Sequence, residues 1–310
     1  MNPDKVKIGI LGIGGIGGFL GAPLAKRYKD STTKIIFICR GETKKAIQNN
    51  GLIFESKGIK ETIYPHLVSD YPTEIGVLDV LILTSKSYSI KDVLSTYKDC
   101  INSETIIITL QNVVNAKEII RETLPEADQI MEGCIYVASN VKQPGQIQHV
   151  GGPGKIFVGG KENHSLIDLL ADSGLDITYV PNINEILWKK YLFVAPVAGI
   201  TSAYKVTFGQ LLEEENLMHI LENMMIEIQS LAKKNNISLT KEDIETSKDL
   251  LTKFPFESRS SLQLDFENHN QTEKQFLVDY VIENAKKYGI ETPFYNGVNE
   301  KIKTSYNFSF

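Results

Sequence analysis

Cysteine is scarce in this 310-residue chain: Cys39, Cys100 and Cys134 are odd in number and widely spaced. They match neither a disulfide framework nor a zinc site, which points to a reducing, cytoplasmic setting and to no bound metal. A concentrated basic face is missing too, the formal net charge being −5, so nucleic acid is not an expected partner. Histidine is limited to His66, His149, His164, His219 and His269, none at a strand end beside the glycine turn described below. A histidine general acid is therefore not indicated. Long uncharged runs are absent save one, residues 8–25, and seven of its eighteen residues are glycine. That glycine content, and the lack of an A-x-A cleavage pattern after it, argue against a membrane span or signal segment. There is no internal repeat and no low-complexity tract, and the length suffices for two domains with separate cores.

What the uncharged run holds is Gly12-Ile13-Gly14-Gly15-Ile16-Gly17, directly after the strand-like Val6-Lys7-Ile8-Gly9-Ile10-Leu11. Strand, G-x-G-x-x-G and helix in that order predict an α/β N-terminal domain of the Rossmann type, binding a dinucleotide on the helix N-terminus. Residues 16–29 read as the first helix, with Pro23 expected to bend it or cut it short. The apolar run 34–40 reads as a buried strand ending at Arg40, twenty-three residues past Gly17. An NAD-binding fold usually has an acid there for the ribose 2′-OH, whereas an arginine suits a 2′-phosphate, which favours NADPH. An ordinary solvated arginine is the alternative. Two more buried strands, 77–83 and 105–110, deliver Lys86 and Asn112 at their carboxyl ends, the edge where ligands bind in open α/β sheets. Further on, Pro144-Gly145 and Gly151-Gly152-Pro153-Gly154 read as turns flanking separate strands at 146–150 and 155–158. A helix at 163–173 and a strand at 175–180 follow.

After Pro181 helical periodicity takes over, so the domains are expected at 1–182 and 183–310, the second all-α. Leu217, Leu221, Met224, Ile228 and Leu231 recur at three- and four-residue spacing. A late helix through Phe276, Tyr280 and Ala285 is expected to stop at Gly289 and Pro293. If 185–199 is one helix, Lys190, Val194 and Ala198 share a face that is apolar apart from the lysine. Burial would lower the lysine pKa and ready it to donate a proton; the alternative is a lysine snorkelling to water.

These elements together resemble the ketopantoate reductase (2-dehydropantoate 2-reductase) family over nearly the whole chain. The matching residues are the glycine turn, Arg40-Gly41, Asp79 through Thr84-Ser85-Lys86, and Leu110-Gln111-Asn112. They continue with Gly145-x-x-x-His149-x-Gly151, Trp188-x-Lys190, Ser260-Ser261 ahead of Asp265 and Glu273, and Gly289-Ile290 with Pro293. The resemblance implies NADPH-dependent reduction of a 2-oxo acid to the 2-hydroxy acid. It implies Lys190 as general acid, Glu273 as its carboxylate partner, Ser261 on the substrate carboxylate and Asn112 between nicotinamide and substrate. It also implies Lys86 on the cofactor side and Arg40 on the 2′-phosphate. The partner is thus a small molecule, with no membrane, and self-association, if any, as a homodimer.

Three departures stand out. Val194 and Ala198 replace the asparagines that the family usually has four and eight residues after the lysine. Val113 and Asp279 stand where glycines are usual. An apolar wall discriminates hydroxylated substrates far less than a hydrogen-bonding one, by a factor of up to about 10⁴. A reductase for a more apolar branched 2-oxo acid, of the D-2-hydroxyacid dehydrogenase type, therefore stays open beside ketopantoate reduction. So does a nicotinamide-binding sensor without turnover.

Overall fold

A computed structural model describes residues 5–306; the outer ends of the two expected domains, 1–4 and 307–310, lie outside the described residues. The chain forms two compact units. One contains the residues up to Gln111 together with Asn115–Ile183, the other Asn112–Val114 and the chain from Asn184 onward. Among the described residues no helix is long and apolar enough to cross a membrane.

The first unit is α/β. Its elements are β1 (Lys7–Leu11), α1 (Gly15–Arg27), β2 (Lys34–Ile38), α2 (Gly41–Asn50), β3 (Leu52–Ser56), β4 (Ile59–Ile63), β5 (Leu67–Ser69) and α3 (Pro72–Ile75). They continue with β6 (Val80–Leu83), α4 (Ile90–Thr96), β7 (Ile106–Thr109), α5 (Ala116–Thr123), β8 (Ile130–Gln143), β9 (Gln146–Gly160), α6 (His164–Asp172) and β10 (Ile177–Tyr179). All ten strands join one sheet in the order β4-β3-β9-β8-β7-β6-β1-β2-β5, with β10 on β9. β1 lies parallel between β2 and β6, so the chain order reverses at its carboxyl end, where an open α/β sheet binds its ligand. The continuous apolar runs of β6 and β7 are buried at every position, which requires both faces of the sheet to be covered.

Two local expectations are corrected here. Helix α1 extends through Pro23 to Arg27, so the proline does not cut it short. A proline removes one backbone donor, and the buried Leu20 and Leu24 on either side hold the helix in place regardless. The strands expected at 146–150 and 155–158 are one fifteen-residue strand, β9, antiparallel to β8. The register shifts between Tyr136 and Ser139, opposite Gly151, and Gly152 has φ +80°. The glycines thus make a bulge inside the ladder, while Pro144-Gly145 makes the turn.

The second unit is helical: α7 (Ile183–Tyr204), α8 (Phe208–Glu213), α9 (Glu215–Lys234), α10 (Lys241–Leu251), α11 (Ser261–Glu267), α12 (Tyr280–Lys287) and α13 (Pro293–Ser305). A π turn, Gln275–Asp279, leads into α12. The predicted stripe from Leu217 to Leu231 is buried along α9 in this unit's core. Pro293 does not end the preceding helix; it opens α13, where its missing N–H costs nothing. The next two backbone N–H groups, of Phe294 and Tyr295, donate to the Glu227 carboxylate at 2.8 and 3.0 Å. Glu227 is buried, and that burial pushes its pKa up while the two N–H groups hold it down.

Candidate active site

The glycine turn is built as its sequence requires. Gly12 has φ +97°, and a Cβ there would sit 2.8 Å from the Ser85 nitrogen. A Cβ on Gly17 would sit 2.0 Å from the Gly12 carbonyl oxygen, so only glycine lets α1 start this close to the strand. The Thr84 hydroxyl fastens the turn by donating towards the carbonyls of Gly12, at 2.8 Å, and Leu11, at 3.1 Å. Gly14, the N-cap of α1, faces open space: a Cβ there meets nothing within 4 Å. A thirteen-residue helix whose N-terminus opens on such a gap fits a dinucleotide pyrophosphate. Gly15 and Ile16, the first residues of α1, lie beside it, and Gly15 abuts the Ser139 carbonyl of β8, where a Cβ would come within 1.9 Å. Ile13 is buried.

Arg40 is exposed at the N-cap of α2, two residues past β2. One turn on, Lys44 pairs with Asp70 at 2.5 Å and lies over the Tyr71 ring. Cys39 lies between β2 and Arg40, and burial, with Asp70 nearby, pushes its thiol up to about 12. Lys86 follows β6 and is half-buried; its carbonyl accepts from the Ser89 amide and hydroxyl, which closes the loop that carries it.

In the helical unit Lys190 Nζ donates to Asn112 Oδ1 at 2.7 Å. An ammonium has no acceptor, so the amide oxygen must face it and the Asn112 Nδ2 group is turned to serve another acceptor. The neighbouring Lys189 is engaged elsewhere, with Glu185 at 3.0 Å and Asp243 at 3.2 Å. Along the Lys190 face, Val194 is partly buried and Ala198 is fully so. Val113 is buried and Val114 packs on the helical core, which accounts for the tripeptide Asn112–Val114 belonging to this unit.

Ser261 is exposed at the first position of α11, and Glu273 is half-buried two residues before the π turn. That turn is tied to the lysine helix: Tyr191 Oη donates to the Phe276 carbonyl at 2.6 Å. Asp279, at a usual glycine position, pairs with Lys274 at 2.5 Å across the five-residue spacing that a π turn stacks. The sequence reading missed Thr84 as the fastener of the turn and Ser260 as the cap of α11. The pattern Ser260-x-x-Gln263 signals such a cap, and Ser260 Oγ indeed accepts from the Gln263 amide.

A glycine turn at the carboxyl end of a run of parallel strands and a helical unit with a lysine–asparagine pair are the arrangement of a dinucleotide-binding oxidoreductase. The chain belongs to the ketopantoate reductase PanE/ApbA family, whose N-terminal model matches residues 8–163 and whose C-terminal model matches residues 182–305. It is 28% identical over 295 residues to the uncharacterized oxidoreductase YkpB of Bacillus subtilis (strain 168), covering 93% of this chain and 95% of that one. It is 25% identical over 306 residues to the 2-dehydropantoate 2-reductase of Streptococcus pyogenes serotype M3, covering 94% and 95%. A solved ternary structure of D-mandelate dehydrogenase with NADH and anilino(oxo)acetate has the same fold, with a TM-score of 0.85 at 21% identity over 97% of this chain and 98% of that one.

Proposed function

We propose that this protein reduces 2-dehydropantoate (ketopantoate) to pantoate with NADPH, in the cytoplasm and within pantothenate and coenzyme A synthesis. Residues 1–182 serve as the dinucleotide-binding domain and 183–310 as the substrate and catalytic domain. The observation that carries this reading is the 2.7 Å bond from Lys190 to Asn112, which holds an ammonium at a fixed place beside an amide. When bound, the reduced nicotinamide supplies the hydride. The turn from Gly12 to Gly17 receives the pyrophosphate, Arg40 the 2′-phosphate, and Lys86 lies on the cofactor side. Lys190 gives its proton to the C2 oxygen as negative charge develops there, a charge its own positive charge stabilises. Asn112 orients the ammonium, Ser261 hydrogen-bonds the substrate carboxylate, and Glu273 is the acidic partner of the lysine.

A second reading follows from Val194 and Ala198, which line the lysine's face without a polar atom beyond the backbone. It assigns a more apolar branched 2-oxo acid as substrate. NADPH oxidation measured with 2-dehydropantoate and with 2-oxoisovalerate separates the two. A higher kcat/KM for 2-dehydropantoate supports the first reading, and a much higher one for 2-oxoisovalerate replaces it with the second. No turnover of either leaves a non-catalytic nicotinamide sensor.

A further inference from the structure

Two hydroxyls link the helix that carries Lys190 to the helix that begins with Ser261. Ser260, 9% exposed, caps α11 by accepting from the Gln263 amide at 3.2 Å. The same Oγ lies 2.8 Å from Oγ1 of the wholly buried Thr201 in α7. Proton counting fixes the direction. The single hydroxyl proton of Thr201 goes to the Val197 carbonyl at 2.9 Å, with that of Ala198 at 3.4 Å. Thr201 Oγ1 is therefore the acceptor, and Ser260 donates to it while accepting from Gln263. The relay runs from the Gln263 amide through Ser260 and Thr201 to the Val197 carbonyl, joining the first turn of α11 to the interior of α7.

A threonine that bonds back to its own helix adds nothing to helix stability, so the value of this one lies in the bond it accepts. We infer that Thr201 is a positioning residue: it sets where Ser261 stands relative to Lys190 and so tunes affinity for the carboxylate of the 2-oxo acid. This rests on the function proposed above. A separate tie from α7, Tyr191 to the Phe276 carbonyl of the π turn, does not involve Thr201 and is left intact by its substitution.

The experiment is steady-state kinetics of Thr201→Val, which keeps the side-chain shape and loses the hydroxyl, with Thr201→Ser as the rescue. Loss of one neutral buried hydrogen bond predicts a KM for the 2-oxo acid raised about fivefold in Thr201→Val. The KM for NADPH and kcat stay within about twofold, and Thr201→Ser returns the KM towards wild type. A merely structural role lowers the folded fraction and hence kcat, and leaves KM alone. An unmoved 2-oxo-acid KM, or a parallel rise in both KM values, overturns the inference. Should Thr201→Val fail to fold, Thr201→Ala removes the same hydroxyl while leaving the Ser260 cap of α11 in place, and is read in the same way. A wild-type protein that turns over no 2-oxo acid defeats the proposed function and this inference with it. Wild-type turnover with a KM indifferent to both variants defeats this inference alone.

Discussion

Lys190 and Asn112 stand 78 residues apart in the chain and are joined by a 2.7 Å hydrogen bond within one structural unit. If Lys190 is the general acid, Lys190→Ala lowers kcat by at least about 10²-fold. Asn112→Ala, which leaves the proton donor in place and removes the group that orients it, costs less. Steady-state rates of NADPH oxidation check both, and a Lys190→Ala enzyme with near-wild-type kcat removes the lysine from that role.

Arg40 at the N-cap of α2 is assigned to the 2′-phosphate. Arg40→Ala then raises the KM for NADPH and leaves that for NADH little changed. Parallel measurements with the two dinucleotides decide it, equal effects meaning that the arginine does not read the phosphate.

Gly14 and Gly17 are separable by the space around them. Alanine at 17 drives a methyl into the Gly12 carbonyl, and the overpacking lowers stability by roughly 1–3 kcal/mol. Alanine at 14 meets nothing within 4 Å, so the fold survives while the methyl occupies the gap assigned to the pyrophosphate. Thermal melting is expected to fall for Gly17→Ala only, and dinucleotide KM to rise for Gly14→Ala with an unchanged melting temperature.

The turn was legible because its demands are local: a positive φ at Gly12 and a close approach at Gly17 exclude every other residue type at the backbone level. The buried strands were legible for a similar reason, since continuous apolar runs suit a sheet covered on both faces. A helix cut short at Pro23 and a strand break at Gly151–Gly154 are not formed, because tertiary partners, buried Leu20 and Leu24 in one case and β8 in the other, outweigh what a breaker residue does alone. Pro293 was misread because a proline after one helix and a proline opening the next are identical in sequence. Among the candidate site residues, the sequence placed Lys190 on an apolar helix face without indicating which polar group meets it. Nor does any spacing announce that Thr201 and Ser260 share a proton.

Glu132 in β8 is 7% exposed, and burial, the largest influence on it, raises its pKa, with Lys117 opposing. An acid whose folded pKa is raised contributes stability that is full below its unfolded pKa, near 4.5. That contribution is lost as pH rises through the folded value. The melting temperature of wild type relative to Glu132→Gln should therefore decline as pH is raised from 4.5 towards neutrality. A difference that grows over that interval would mean that Lys117 outweighs desolvation.

Val194 tests the substrate wall. Val194→Asn restores a polar group one turn beyond Lys190 and is expected to raise the kcat/KM ratio of 2-dehydropantoate over 2-oxoisovalerate by about fivefold, the worth of one added hydrogen bond. An unchanged ratio would place the substrate's distal end away from this residue.

The tripeptide Asn112–Val114 belongs to the helical unit although the chain on both sides of it belongs to the sheet. A gene fragment starting at Ile183 would encode the helices of that unit and still lack Asn112, which accepts from its lysine, and the packing of Val114. Chimaeras that graft the helical half of one reductase onto the sheet of another must carry this insert along, or they inherit a lysine with no asparagine to orient it.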